Sequence, residues 1–231
     1  MSGQKAKQAA AERAVSHIAN DMIVGLGTGS TASCAIEAIG RRVAAGLRIL
    51  SIPTSSATEK LAIEKGIPLA SDFERLDVTI DGADEADENG NLIKGGGGAL
   101  AREKIVAAAT RKEIIVVDKS KLVSKLGKFP LPVEVLPFGW PVACKQLQHY
   151  GCRVELRRRD GIIFVTDNKN YILDCFFGLI DEPGKLSEEI NAIPGVVENG
   201  LFVGLTDMIV VGYEDGHVEE MTFEPKAHNP S

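Results

Sequence analysis

The chain has 231 residues, 44% of them hydrophobic and 25% charged, with a formal net charge of −6. That length allows one large domain or two unequal ones with a sizeable core. The acidic balance is the wrong sign for a general nucleic-acid binder, although a local group of lysines can still hold a phosphorylated small molecule. The four cysteines (Cys34, Cys144, Cys152, Cys175) form no C-x-x-C pair, and the four histidines (His17, His149, His217, His228) show no H-x-x-x-H spacing. The expectation is small buried cysteines in a reducing compartment and no metal. Residues 1–20 contain no continuous apolar stretch, and no segment is long and apolar enough to span a bilayer, which points to a cytoplasmic protein without a membrane partner.

In chain order, an Ala-rich helix is predicted from about Lys5 to Ile18, followed by a buried strand, "MIVGLG". "STASCAIEAIGRRVAAG" reads as a helix with hydroxyl residues at its start, which suit capping. "LRILSIPTS" and "SATEKLAIEKG" give a second strand and helix, "LDVTIDGAD" and "ALAREKIVAAATR" a third pair, and "EIIVVDKSK" a fourth strand. Apolar strands alternating with helices predict a parallel sheet covered on both faces. The prolines of "GKFPLPVEVLPFGWP" mark a boundary. Beyond it a strand (Val133–Leu136), helix (Pro141–Tyr150), strand (Cys152–Arg157), hairpin strands (Ile162–Thr166, Tyr171–Phe176), helix (Lys185–Ile193) and strand (Leu201–Val203) are predicted. That order fits a small ferredoxin-like α+β domain. "DMIVVGYEDG" and "HVEEMTFEP" form a last hairpin, returning to the first domain. The fold class is thus α/β: a Rossmann-like parallel-sheet domain (1–129, joined by about 205–225) and a smaller ferredoxin-like domain (130–204). The tail at 226–231 is expected to be disordered.

Ligands of open parallel sheets bind beyond the carboxyl ends of the strands. The loops expected there are "GLGTGSTA", "PTSSAT", "DGADEAD" and "DKSK", all rich in Gly, Ser, Thr, Asp or Lys. "GLGTGSTA" lacks the third glycine of a dinucleotide fingerprint, since Ser30 stands there, and it lacks the lysine of a Walker loop. It reads either as a helix N-terminus that binds phosphate, with Thr28, Gly29, Ser30 and Thr31, or as a capped tight turn. Asp81 and Asp84, flanking Gly82 and Ala83, read either as two acids on one cavity or as a solvated turn. Lys94 precedes Gly95, Gly96, Gly97 and Gly98. A run of bare backbone is entropically costly, and it reads as an anion-binding concavity or as a flexible loop. On a helical wheel Glu103 falls between Val106 and Ala107, close to Leu100. Alone it reads as a surface glutamate; beside Lys94 and Asp84 it reads as a proton-transfer group, with burial and the helix dipole pulling its basicity in opposite directions.

Taken together and in order, "GLGTGSTA", "DGADE", "KGGGGALAREK", Asp118-x-Ser120-Lys121 and "GKFPLPVEV" resemble ribose-5-phosphate isomerase of the A type, over almost the whole chain through "NAIPGVVENGLF". The resemblance implies an aldose–ketose isomerase of the non-oxidative pentose phosphate pathway, acting on a sugar phosphate without cofactor or metal. It implies a homodimer, in some members a tetramer. Glu103 matches the general base; Asp81, Asp84 and Lys94 match the groups around the reacting carbons; Gly82, Ala83 and Gly95–Gly97 match the substrate-binding backbone. Thr28–Thr31 and Lys121 match substrate contacts, and Lys7 a phosphate contact. Three rivals fit less well. An acyl-CoA transferase-like enzyme would use the glutamate as a nucleophile, but the chain is short and carries D-x-x-D. A sugar-phosphate sensor would carry a DNA-binding domain before the first strand. A dehydrogenase would need the third glycine and an acid after "SIPTS".

Overall fold

The computed structural model describes residues 2–224; the expected disordered tail at 226–231 lies outside them. In chain order they form α1 (Ser2–Val15), β1 (Met22–Leu26), α2 (Ser30–Ala44), β2 (Ile49–Pro53), α3 (Ser56–Glu64), β3 (Val78–Gly82), β4 (Glu85–Ala86), β5 (Leu92–Ile93), α4 (Leu100–Ala109) and β6 (Glu113–Asp118). A single 3-10 turn at Lys119–Lys121 follows. Then come β7 (Leu131–Val135), α5 (Trp140–His149), β8 (Arg153–Leu156), β9 (Arg158–Arg159), β10 (Ile162–Ile163), β11 (Tyr171–Phe176), α6 (Pro183–Asn191), β12 (Val196–Asn199), β13 (Leu201–Phe202), β14 (Met208–Gly212) and β15 (Val218–Thr222). Among the described residues, no helix is long and apolar enough to cross a membrane.

The chain divides into two compact units. The first takes the described residues of Met1–Ala83, Arg102–Leu122 and Gly204–Ser231; the second takes Asp84–Ala101 and Val123–Val203. The first unit holds a six-stranded sheet in the order β15-β14-β6-β3-β1-β2, parallel except for β15. The run Ile114–Val117 in β6 is buried, as expected of a strand covered on both faces. The expected last hairpin, β14–β15, does join this sheet. Helix α1 lies against β14 so closely that a Cβ on Gly212 would sit 1.9 Å from the Ala6 carbonyl oxygen. The chain passes from β1 to β2 on one side and then to β3 on the other. The order in which strands are added therefore reverses between β1 and β3, and a crevice for ligands is expected at their carboxyl ends.

The second unit holds a four-stranded antiparallel sheet in the order β12-β7-β11-β8. With α5 after β7 and α6 after β11, this is the ferredoxin-like arrangement. Leu131, Val133 and Val135 of β7 pack with Leu147 of α5 and Ile190 of α6 in one core. Its fourth strand is β12, not the predicted Leu201–Val203. A register shift between Val196 and Glu198 breaks the alternation by which such a strand is read. Leu201–Phe202 instead pairs with β5 in a three-stranded sheet with β4. That pairing ties the segment after β3 to the second unit, and bonds from Val123, Gly127 and Phe129 to Ala86 and Glu85 bring residues 123–129 with it, so both segments belong there and not with the parallel sheet. The predicted hairpin strand Ile162–Thr166 shortens to β10, paired with β9. Cys34, Cys152 and Cys175 are buried, Cys144 is half-buried, and none is in a disulfide.

Candidate active site

The first unit carries the loop after β1, Asp81, Glu103, Lys7 and Lys121. Gly27 and Asp81 are fitted to each other. Asp81 is 1% exposed, and its Oδ1 accepts the N–H of Thr28 (3.0 Å) and of Gly82 (2.7 Å). A Cβ on Gly27 would stand 2.1 Å from that oxygen and 2.5 Å from the Asp81 Cα. The Thr28 hydroxyl lies in a cluster with Thr54 (2.8 Å), Ser55 (2.8 Å) and Thr58 (3.1 Å). It is thus held by the second loop, "PTSSAT", which the motif reading noted without assigning residues. Gly29 caps α2 with φ 117°, a conformation for glycine. Ser30 Oγ accepts from Lys7 Nζ at 2.9 Å, which brings the lysine of α1 to this loop. Thr31 lies beside Gly82, where a Cβ would meet the Thr31 Cβ at 4.0 Å.

Glu103 stands in the first turn of α4 and is 4% exposed. Its helical neighbours Val106 and Ala107 are buried too, and Val106 covers Gly25 of β1, where a Cβ would meet Val106 Cγ1 at 2.8 Å. Because α4 leads into β6 through a short turn, it runs against the strands. Its first turn therefore lies at the carboxyl edge of the parallel sheet. The surface-glutamate reading is thereby excluded. The Asp118-Ser120-Lys121 motif is a capped turn at the end of β6, with Asp118 Oδ1 accepting the Ser120 N–H (3.0 Å) and the Ser120 hydroxyl. Lys7, Asp118, Ser120 and Tyr213 line a cavity of about 730 Å³. Lys121 is half-buried and makes no hydrogen bond to another of the predicted site residues among the described residues.

The second unit carries Asp84, Lys94 and the glycine run. The Asp84 N–H donates to Ile93 O (2.9 Å), and its Oδ2 accepts the Gly96 N–H at 2.7 Å. Lys94 is 2% exposed; its N–H donates to Gly200 O, and its Nζ lies 5.4 Å from the centre of the Phe202 ring. The run is not a loose loop. Gly98 N–H donates to Gly95 O (3.0 Å), and Gly95 and Gly98 have φ of 101° and 89°. Gly97 is exposed, while Ala83 links the two units in the chain. Part of the expected anion concavity is therefore occupied from within, since one N–H serves Asp84. Motif reading gave no role to Glu85, a buried carboxylate that accepts the N–H of Gly127 and of Phe129, each at 2.7 Å. It also missed Arg157, which reaches the glycine run from far along the chain. Among the described residues, no group of three or more His, Cys, Asp or Glu could hold a metal ion.

A profile described as ribose 5-phosphate isomerase A (phosphoriboisomerase A) matches residues 50–216. The chain belongs to that family. It is 49% identical over 225 residues to the ribose-5-phosphate isomerase A of Parvibaculum lavamentivorans, covering 94% of this chain and 97% of that one. It is 51% identical over 220 residues to the Gloeobacter violaceus protein of the same name, covering 94% and 95%. A solved D-ribose-5-phosphate isomerase in complex with phospho-erythronic acid superposes with a TM-score of 0.92 at 41% identity, over 96% of this chain and all (100%) of that one. The ribose 5-phosphate isomerase of Plasmodium falciparum gives 0.92 at 39%, over 96% and 99%. Members of the family are aldose–ketose isomerases, which interconvert ribose 5-phosphate and ribulose 5-phosphate.

Proposed function

We propose that this chain performs that interconversion with Glu103 as the base that moves the proton between C2 and C1. The observation that carries the reading is the burial of Glu103 in the first turn of α4, a carboxylate sheltered from water at the edge where ligands bind. Glu103 takes the C2 proton of the open-chain aldose while negative charge develops on the C1 oxygen; the same group returns the proton to C1 as the hydroxyl proton passes from the C2 oxygen to the C1 oxygen, leaving a C2 ketone and a C1 hydroxyl. An enediolate needs a fixed cation and aimed N–H groups. Lys94, already excluded from bulk water, and the glycine run are assigned that part. Asp81 assists furanose opening and Asp84 orients hydroxyls. Gly82 and Ala83 meet the sugar, and the loop Thr28–Thr31 with Lys7 and Lys121 holds the phosphate end, so that remote binding positions the reacting end. The relative bound to phospho-erythronic acid supports this. A phosphorylated four-carbon carboxylate presents a delocalised anion where a five-carbon enediolate would carry one.

The reaction as proposed uses no metal and no cofactor. The protein is read as homodimeric from the resemblance, which light scattering checks, and as cytoplasmic from the sequence, which cell fractionation checks. The direct test is to mix the protein with ribose 5-phosphate and follow ketose formation before and after exhaustive chelation. Equal ketose formation in both is expected. Absence of ketose would overturn the function. Loss on chelation, restored by a divalent metal, would overturn the metal-free reaction.

A further inference from the structure

Arg157 follows β8 and belongs to none of the motifs above. Its side chain is 12% exposed, and Asp174 of β11, at 17%, braces it. Arg157 Nε donates to Asp174 Oδ2 at 2.9 Å, and Nη2 donates to Oδ1 of the same carboxylate. The remaining nitrogen, Nη1, donates to two successive carbonyls of the glycine run, Gly95 O at 2.7 Å and Gly96 O at 3.2 Å. A guanidinium cannot lose its charge and keeps its donors in one plane, so this fork fixes direction as well as distance.

The two carbonyls belong to the peptides whose N–H groups are those of Gly96 and Gly97. The Gly96 N–H is the one that donates to Asp84 Oδ2. A cation on the carbonyl side of a peptide strengthens the donor on its other side, because hydrogen bonds in a chain polarise one another. Asp174, Arg157, the Gly95–Gly96 peptide and Asp84 thus form one continuous hydrogen-bonded line within the second unit. We infer that Arg157, braced by Asp174, is a positioning residue for the isomerase reaction. It sets the direction and strength of the glycine run's N–H groups and, through them, the orientation of Asp84. This rests on the assignment of Asp84 and the run to the substrate site.

The test is a double-mutant cycle in kcat and KM for ribose 5-phosphate, using Arg157→Met, Asp84→Asn and the pair. Misplacing groups at a reacting centre lowers the rate more than the binding, so Arg157→Met should lower kcat about ten- to a hundred-fold and leave KM within about threefold. In the Asp84→Asn background the same change should cost less than about threefold, because residues acting along one line are not additive. Arg157→Lys keeps the charge beside Asp174 but not the fork. It should give an intermediate kcat, and it serves the same cycle if Arg157→Met does not fold. Unchanged kcat in the Arg157 variant, or an equal fold-loss in both backgrounds, would overturn the inference alone. Unchanged kinetics in Asp84→Asn would overturn the assignment of Asp84 and the inference with it.

Discussion

Two glycine-rich segments look alike on paper and are built for different reasons. At the end of β1 and in the loop after it, Gly25 and Gly27 are glycine because neighbours fill the space: a Cβ would stand 2.0 Å from Thr79 Oγ1 at the first and 2.1 Å from Asp81 Oδ1 at the second. Only Gly29, with φ 117° and open space around it, is glycine for its conformation alone. In the run after Lys94 space is short too, since a Cβ would stand 2.6 Å from Asp84 Oδ1 at Gly96 and 2.4 Å from the Phe164 ring at Gly98, but here the backbone is also a working surface. Its carbonyls take Arg157, one N–H takes Asp84, and Gly95 and Gly98 turn the chain through positive φ. Both segments make room for a carboxylate, Asp81 in the first and Asp84 in the second; what sets the second apart is that its carbonyls also take a side-chain cation. A glycine count does not distinguish them, and the neighbours do.

Substitutions can break or sharpen this contrast. Within this contrast the largest effect is expected at Lys94, the cation beside the presented backbone. Lys94→Met should lower kcat about 10²–10³-fold, the cost of removing one preorganised partner of a developing oxyanion. Steady-state kinetics check it, and a near-normal kcat would reduce Lys94 to packing on Phe202. Next is Gly27→Ala, which forces a methyl group against the Asp81 backbone and should cost about 3 kcal/mol of stability by denaturant unfolding. Lys121→Ala should then weaken substrate binding by roughly 1.5–3 kcal/mol, read as a rise in KM, if its charge meets the phosphate. The smallest effect is expected at Gly29→Ala, which meets no atom and suffers only from its backbone angle, at about 1 kcal/mol. If Gly27→Ala and Gly29→Ala cost the same, the distinction between space and conformation fails.

Much of the fold was legible because its signals are local. The apolar runs of β1, β3 and β6 and the loops that follow them read directly as a parallel sheet with its ligand edge. The ferredoxin-like order was legible too, except where a bulge in β12 masks its alternation, so that Leu201–Val203 reads as the fourth strand instead. For the site, the motif residues were legible as candidates, and local pairing of Asp81 with Gly82 follows from adjacency. What was not legible depends on distant partners. Arg157 and Gly95 are 62 positions apart, and nothing in "VELRRRD" singles out that arginine from its neighbours. Lys7 entered as a candidate only by resemblance, and its contact with Ser30 was not legible because it depends on how α1 packs on the sheet. Glu85 could not be read as an anchor for the loop at Gly127–Phe129 without knowing that the loop returns to it.

The central claim, that Glu103 carries the proton, is tested most directly with ribose 5-phosphate deuterated at C2. Wild-type protein should exchange the label with solvent as it turns over. Glu103→Gln keeps the side chain's size but removes its basic form, so isomerisation should fall by about 10²–10⁴ or more. The label should then stay at C2, while substrate affinity changes much less. A Glu103→Gln protein that washes out the C2 label at the wild-type rate would contradict the account.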